Sequence, residues 1–164
     1  MERLWSPWRM QYIQQASSEQ QPEGCLFCTV AAADDDEASM ILHRGEHAFV
    51  LMNAFPYNPG HVMVAPYRHV GDMEQLSEDE VLDAGRLQQA VVRALREEMA
   101  PHGYNIGMNL GRVAGAGIPD HVHWHVVPRW NGDTNFTTVL GETRVLPESL
   151  EDTYRKLRAR FQAP

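Results

Sequence analysis

The stretch Asp120-His121-Val122-His123-Trp124-His125-Val126-Val127-Pro128-Arg129 decides the reading of this chain. Three histidines alternate with apolar residues, and alternation over this length predicts a β-strand. Successive side chains on a strand face opposite ways. His121, His123 and His125 are therefore expected on one face, with Val122, Trp124 and Val126 on the other. Their spacing along such a strand would be roughly 6.6–6.8 Å. A row of imidazoles buried in an ordinary core would need a polar partner for each ring, so this face is read as a site.

Working outward, the loop Ala114-Gly115-Ala116-Gly117 leads into the histidine stretch, and its glycines allow a backbone to approach a ligand. Tyr104 to Leu110 alternates and predicts a strand. Before it, Ser77 and Glu80 form a capping box for a helix whose apolar stripe is Ala84, Leu87, Val91, Leu95 and Met99. Pro101 and Gly103 stop that helix. Met40–His43 and His47–Met52 flank Arg44-Gly45-Glu46 as a hairpin, and His61–Pro66 is a further strand. Asn53–Gly60, with two prolines, is a loop, and a short helix is expected near Thr29–Ala33. A short strand is expected within Phe136–Leu146, and Pro147 suits the start of a last helix carrying Leu150, Tyr154, Leu157 and Phe161. The expected architecture is α+β: an antiparallel sheet of about five strands with two main helices segregated to one side. Residues 1–24 read as an N-terminal arm and linker, and 25–164 as the domain. Trp5 and Trp8 in the arm would be costly to leave in water, so it packs on its own domain or across a subunit interface.

The 164 residues carry a formal net charge of −8, which argues against nucleic acid or an anionic membrane as partner. No apolar run approaches a membrane span, and the N-terminus lacks a signal-peptide core. The only cysteines, Cys25 and Cys28, point to a reducing, cytoplasmic setting and a metal or redox role. The intervening Leu-Phe is unlike thioredoxin-type motifs; two buried reduced thiols are the competing reading. Other histidine-rich sites fit less well. A His-x-His-x-Asp-His metallohydrolase needs Asp where Val126 stands, and a cupin needs a glutamate that is absent between His125 and Glu142. Three histidines along one flat strand also converge poorly on a single ion.

The run His121 to Val127 resembles the signature of the histidine triad (HIT) superfamily of nucleotidyl hydrolases and transferases. The resemblance extends over Leu51-Met52-Asn53 and Asn58-Pro59-Gly60-His61-Val62-Met63-Val64, and is nearly continuous from Cys25 to Trp130. Leu4-Trp5-Ser6-Pro7-Trp8-Arg9, Cys25-x-x-Cys28 and Pro128 to Phe136 are similar to a bacterial branch containing diadenosine tetraphosphate phosphorylases and related dinucleoside polyphosphate hydrolases. The glycine loop departs from it: Gly115-Ala116-Gly117 stands where relatives often carry Gly-Gln-Ser or Gly-Gln-Thr.

The resemblance implies a HIT-like fold and cleavage of a dinucleoside polyphosphate, or a related nucleotide conjugate, at the α-phosphate. His123 would be the nucleophile, with its second ring nitrogen held by a backbone carbonyl. His125 would bond phosphate or leaving-group oxygen, His61 would reach the same phosphate, and His121 completes the catalytic set. Asn53 would bind ribose and Leu51 and Met63 the base, while Gly115 and Gly117 would turn amides toward phosphate; Asn109 is counted with these nucleotide contacts. Zinc-bearing members imply Cys25, Cys28, His69 and His121 as a structural zinc set, and a divalent cation accompanies the substrate in the further expectation. Family pairing and the arm imply a homodimer or higher homo-oligomer, with the helix from Ser77 and the adjacent strand as the seam. The retained His125 leans toward water as acceptor; the flanks lean toward phosphate. A second anion pocket would fall to Arg129, Arg112 and the backbone of Asn109 to Gly111. The rival from another class is a nucleotide-binding signalling module with incidental turnover.

Overall fold

The computed structural model describes residues 24–133 and 148–162. The N-terminal arm, the expected strand within Phe136–Leu146 and Pro147 lie outside the described residues. Along the chain come α1 (Leu26–Ala31), β1 (Ile41–Arg44), β2 (Ala48–Met52), β3 (Val62–Pro66), α2 (Glu78–Met99), β4 (Gly103–Met108), β5 (Trp124–Arg129) and α3 (Leu150–Gln162). Single 3₁₀ turns at Met73–Gln75 and Arg112–Ala114 precede α2 and follow β4. The five strands form one antiparallel sheet in the order β1-β2-β3-β5-β4.

Period-two alternation sorts the sheet into two faces. Leu42, Ala48, Val50, Met52, Val62, Val64, Trp124 and Val126 pack against Ala84, Leu87, Val91 and Leu95 of α2 and Tyr154 and Leu157 of α3. Each such fully buried aliphatic side chain contributes about 1.5–3 kcal/mol relative to exposure. Ile41, Phe49, Leu51, Met63 and Ala65 form a smaller cluster on the opposite face with Phe27 of α1. The two main helices therefore share one side, but the short helix covers the other. That helix starts at Leu26 rather than near Thr29, with Cys25 as its N-cap, and so carries Cys28 on its first turn.

Helix α2 begins as its residues dictate. The Ser77 hydroxyl accepts from the Glu80 amide while the Glu80 carboxylate accepts from the Ser77 amide. The same carboxylate holds Arg68 at 2.7 and 2.9 Å, tying the helix start to the segment after β3. That pairing, against the cost of burial, draws the Glu80 carboxyl down to about 2. The helix ends at Ala100, in the left-handed region with φ 45°.

One expectation is corrected. The strand expected over the whole histidine stretch starts only at Trp124. β5 pairs with β3 through Val64 and Trp124, then leaves it. Pro66 has no N–H with which to extend a ladder. The Val122 amide instead donates to the Val70 carbonyl at 2.7 Å, and the His121 ring to the Pro66 carbonyl at 2.9 Å. Strand β4 likewise ends at Met108, short of Leu110.

Candidate active site

β3 and β5 lie side by side with Met63 opposite His125, which brings His61, one residue before β3, against the histidine stretch. Two donors converge on His61 Nδ1: the Tyr57 amide at 3.0 Å and Asn53 Nδ2 at 3.2 Å. The Asn53 amide is oriented by the Phe55 N–H, which donates to its Oδ1 at 2.9 Å. The His61 proton therefore resides on Nε2, which donates to His125 Nδ1 at 2.9 Å. His125 must then carry its own proton on Nε2. His61 has no solvent-exposed surface, so the expectation that it reaches a phosphate is corrected. It stands behind His125, to whose Nδ1 it donates.

His123 is held differently. Its Nδ1–H donates to the His121 carbonyl at 2.9 Å, which leaves the Nε2 lone pair as the basic atom. Burial pushes its pKa below the ordinary histidine value, against that carbonyl, so the ring is neutral at pH 7. Its centroid lies 4.9 Å from that of His125, edge-on, and 4.7 Å from the Phe27 ring.

The His121 ring turns away from the other two, and the expected single row of three is not formed. Nε2–H donates to Pro66, so the Nδ1 lone pair faces Cys25 Sγ at 3.2 Å and Cys28 Sγ at 3.6 Å. His69 Nδ1 is 3.5 Å from Cys28 Sγ, and one ligand atom from each of the four residues lies within 4.8 Å of the others. Donors of a tetrahedral zinc site stand roughly 3.3–3.8 Å apart, given bonds of about 2.0–2.3 Å. The cluster fits zinc in donor type and number; the separations of 3.2, 3.5 and 3.6 Å lie close to that range, and the 4.8 Å bound on the set lies about 1 Å beyond it. With no metal, burial and the adjacent Cys25 push the Cys28 pKa up, which favours its neutral thiol.

The remaining predicted residues are spread around this centre. Leu51 and Met63 are buried beside Phe27 on the face of the sheet that carries His125. Asn109 follows the last residue of β4, one step beyond the Met108–Trp124 pair and thus level with His123. Gly115 sits at φ 94°, which suits glycine, but its N–H donates to the Arg112 carbonyl at 3.0 Å. That amide closes its own loop instead of turning to a phosphate, as expected of it; Gly117 is half-buried just beyond. Arg129 is withdrawn from any anion pocket, because Asp133 takes it at 2.5 and 2.9 Å. Sequence reasoning missed Phe27, Tyr57 and Asn58. Their only signal was position, inside the cysteine pair and just ahead of Pro59-Gly60.

The HIT domain family matches residues 35–132. This chain belongs to the HIT family. Within it, the chain is 39% identical over 162 residues to the AP-4-A phosphorylase of Mycobacterium tuberculosis, covering 96% of this chain and 83% of the relative. It is 28% identical to the adenosine 5'-monophosphoramidase of Schizosaccharomyces pombe, over 77% of this chain and 90% of that protein. Among solved structures, a Zn-bound histidine triad family protein from Mycobacterium smegmatis superposes with a TM-score of 0.68 at 28% identity, covering 85% of this chain and 94% of its own. The five-stranded antiparallel sheet with its helices is the HIT fold these neighbours share. Among the described residues, no helix is long and apolar enough to cross a membrane.

Proposed function

We propose that this chain cleaves dinucleoside polyphosphates, diadenosine tetraphosphate among them, or a related nucleotide conjugate, at the α-phosphate through a nucleotidyl-His123 intermediate. The observation that carries the reading is the paired tautomers: His123 with a lone pair on Nε2, and His125 beside it with a proton on Nε2. A nucleophile and a proton donor for the leaving group are thereby set side by side. His123 Nε2 attacks the α-phosphorus, the bond to the bridging oxygen breaks, and His125 gives that oxygen its proton. An acceptor then attacks the nucleotidyl-imidazole and its proton returns to His125, restoring both rings. Asn53, just after β2, is the candidate for the ribose, and Leu51 and Met63 for the base.

Trapping the intermediate tests this: rapid quenching with radiolabelled diadenosine tetraphosphate should leave label on the wild type and none on His123→Ala. Nucleotide bound by the wild type without any product would favour a binding module instead.

A second reading concerns the acceptor. The 39% identity to an AP-4-A phosphorylase across nearly the whole chain favours phosphate over water, against the lean of the retained His125. Products made with and without phosphate in the buffer decide it, ADP marking phosphorolysis and AMP hydrolysis.

We also infer a zinc ion on Cys25, Cys28, His69 and His121, which would cross-link α1 to the segments after β3 and before β5. The chemistry it supplies is structural, a tetrahedral clip. A homodimer is proposed through α2 and β4. β4 is a sheet edge with Asn105, Ile106 and Gly107 exposed, whereas α3 covers the other edge through Tyr154 and Arg158 on the Ile41 carbonyl. An exposed edge strand bearing an isoleucine is a surface that pairing would protect.

A further inference from the structure

The tautomer of His125 depends on the two donors at His61 Nδ1, of which the shorter, the Tyr57 amide, lies on a loop. The Tyr57 ring packs on those of His61 and His125 at 4.5 and 5.7 Å, and the next residue, Asn58, anchors the loop. Its side chain is 3% exposed, and Nδ2 donates to the Pro128 carbonyl at 3.0 Å and to Asp133 Oδ2 at 2.8 Å. Its own carbonyl accepts from the His61 amide at 3.1 Å, closing the turn Asn58-Pro59-Gly60-His61. Asp133 is itself anchored: it accepts from Arg129 Nε and Nη2 and from the Trp130 amide. The turn is pressed from the other side by α2, since a Cβ on Gly60 would meet Met99 Sδ at 2.7 Å and Leu95 Cδ2 at 3.0 Å.

Asn58 thus links two parts of one strand system. The clamp grips the far end of β5, at Pro128 to Asp133, and the turn it holds returns to β5 through His61 at His125. We propose that Asn58, clamped between the Pro128 carbonyl and the Asp133 carboxylate, is a positioning residue that keeps the His125 proton on Nε2 by holding the Tyr57 amide on His61 Nδ1. This rests on the nucleotidyl-His123 reading and assigns the control of its proton donor. No proton moves through Asn58. It fixes the direction of donation, Tyr57 N–H to His61 Nδ1, then His61 Nε2–H to His125 Nδ1. If the turn slackens, His61 Nδ1 keeps only the longer Asn53 donor, the preference for a proton on Nε2 weakens, and with it the hold on the His125 proton at Nε2.

The test separates leaving groups that need a proton from those that do not. Asn58→Ala, Asn58→Gln, His123→Ala and wild type are assayed on diadenosine tetraphosphate and on the 4-nitrophenyl ester of AMP, whose phenolate departs unprotonated. Asn58→Ala should lose at least about tenfold in kcat on the first substrate and less than about threefold on the second, with partial recovery in Asn58→Gln, which keeps an amide donor. Nitrogen-15 spectra of the histidine rings should show His125 as the Nε2–H tautomer in wild type and a mixture in Asn58→Ala. Equal losses on both substrates with an unchanged His125 tautomer would overturn the proposal. If Asn58→Ala does not fold, Asp133→Asn takes its place, with a smaller shift of the same selectivity expected and a flat response counting against the idea. Persisting turnover in His123→Ala would defeat the functional reading itself, whereas an inactive His123→Ala beside a flat Asn58→Ala would remove the clamp proposal alone.

Discussion

His121 supports His123 with its backbone while its ring looks the other way. Its carbonyl accepts the His123 Nδ1–H at 2.9 Å, and its own Nδ1 faces Cys25 Sγ at 3.2 Å. One residue thereby joins the thiol cluster to the His123 imidazole, and Phe27, between the two cysteines, packs on both rings at 5.1 and 4.7 Å.

The first prediction concerns that cluster. Protein purified without chelator should hold one zinc per chain, and Cys28→Ser should lose most of it. Because metal binding is coupled to folding, the variant should be destabilised by about 2–5 kcal/mol. Elemental analysis together with chemical unfolding checks both; full stability without metal would remove the ion from the account.

Replacing the proposed nucleophile should separate binding from turnover. His123→Ala is expected to lose at least about a thousandfold in kcat. Its affinity for an uncleavable dinucleotide analogue, measured by calorimetry, should stay within about fivefold of wild type, since most contacts to sugar and base remain.

Acid should reveal the Arg68–Glu80 pair. The folded Glu80 pKa, about 2, lies below its ordinary value of 4.5. Its contribution is therefore fully present above about pH 4.5 and is lost as pH falls toward 2. Urea unfolding of wild type should weaken across that window more steeply than that of Glu80→Gln. Parallel curves for the two proteins would contradict the assignment.

Gly60 occupies φ 74° with α2 against it. An L-residue there bears roughly 1–2 kcal/mol of backbone strain, so Gly60→Ala should lower stability by at least that much. Displacement of the adjacent His61 should reduce turnover as well, and a melting curve beside an initial-rate measurement records the two effects.

The dimer prediction is tested at the β4 edge. Ile106→Asp, at a residue 49% exposed, should shift sedimentation from dimer to monomer without unfolding the chain. A monomeric wild type at micromolar concentration would refute the interface.

Local patterns in the sequence determined the elements because their causes are local. Ser77 and Glu80 cap a helix within one turn, and the alternation through Trp124-His125-Val126 sorts core from site within one strand. The motif around His121 to Val127 and Gly60-His61 was enough to identify the family, since it joins residue types in an order that packing alone does not require. What only the tertiary structure decided are encounters between residues far apart in the chain. Nothing near His121 signals that Pro66 breaks the ladder and that two cysteines nearly a hundred residues earlier face its ring. Nothing near His61 says that it stands behind His125. Side-chain period specifies a face, but partner and tautomer follow from which hydrogen-bonding groups meet there once water is excluded.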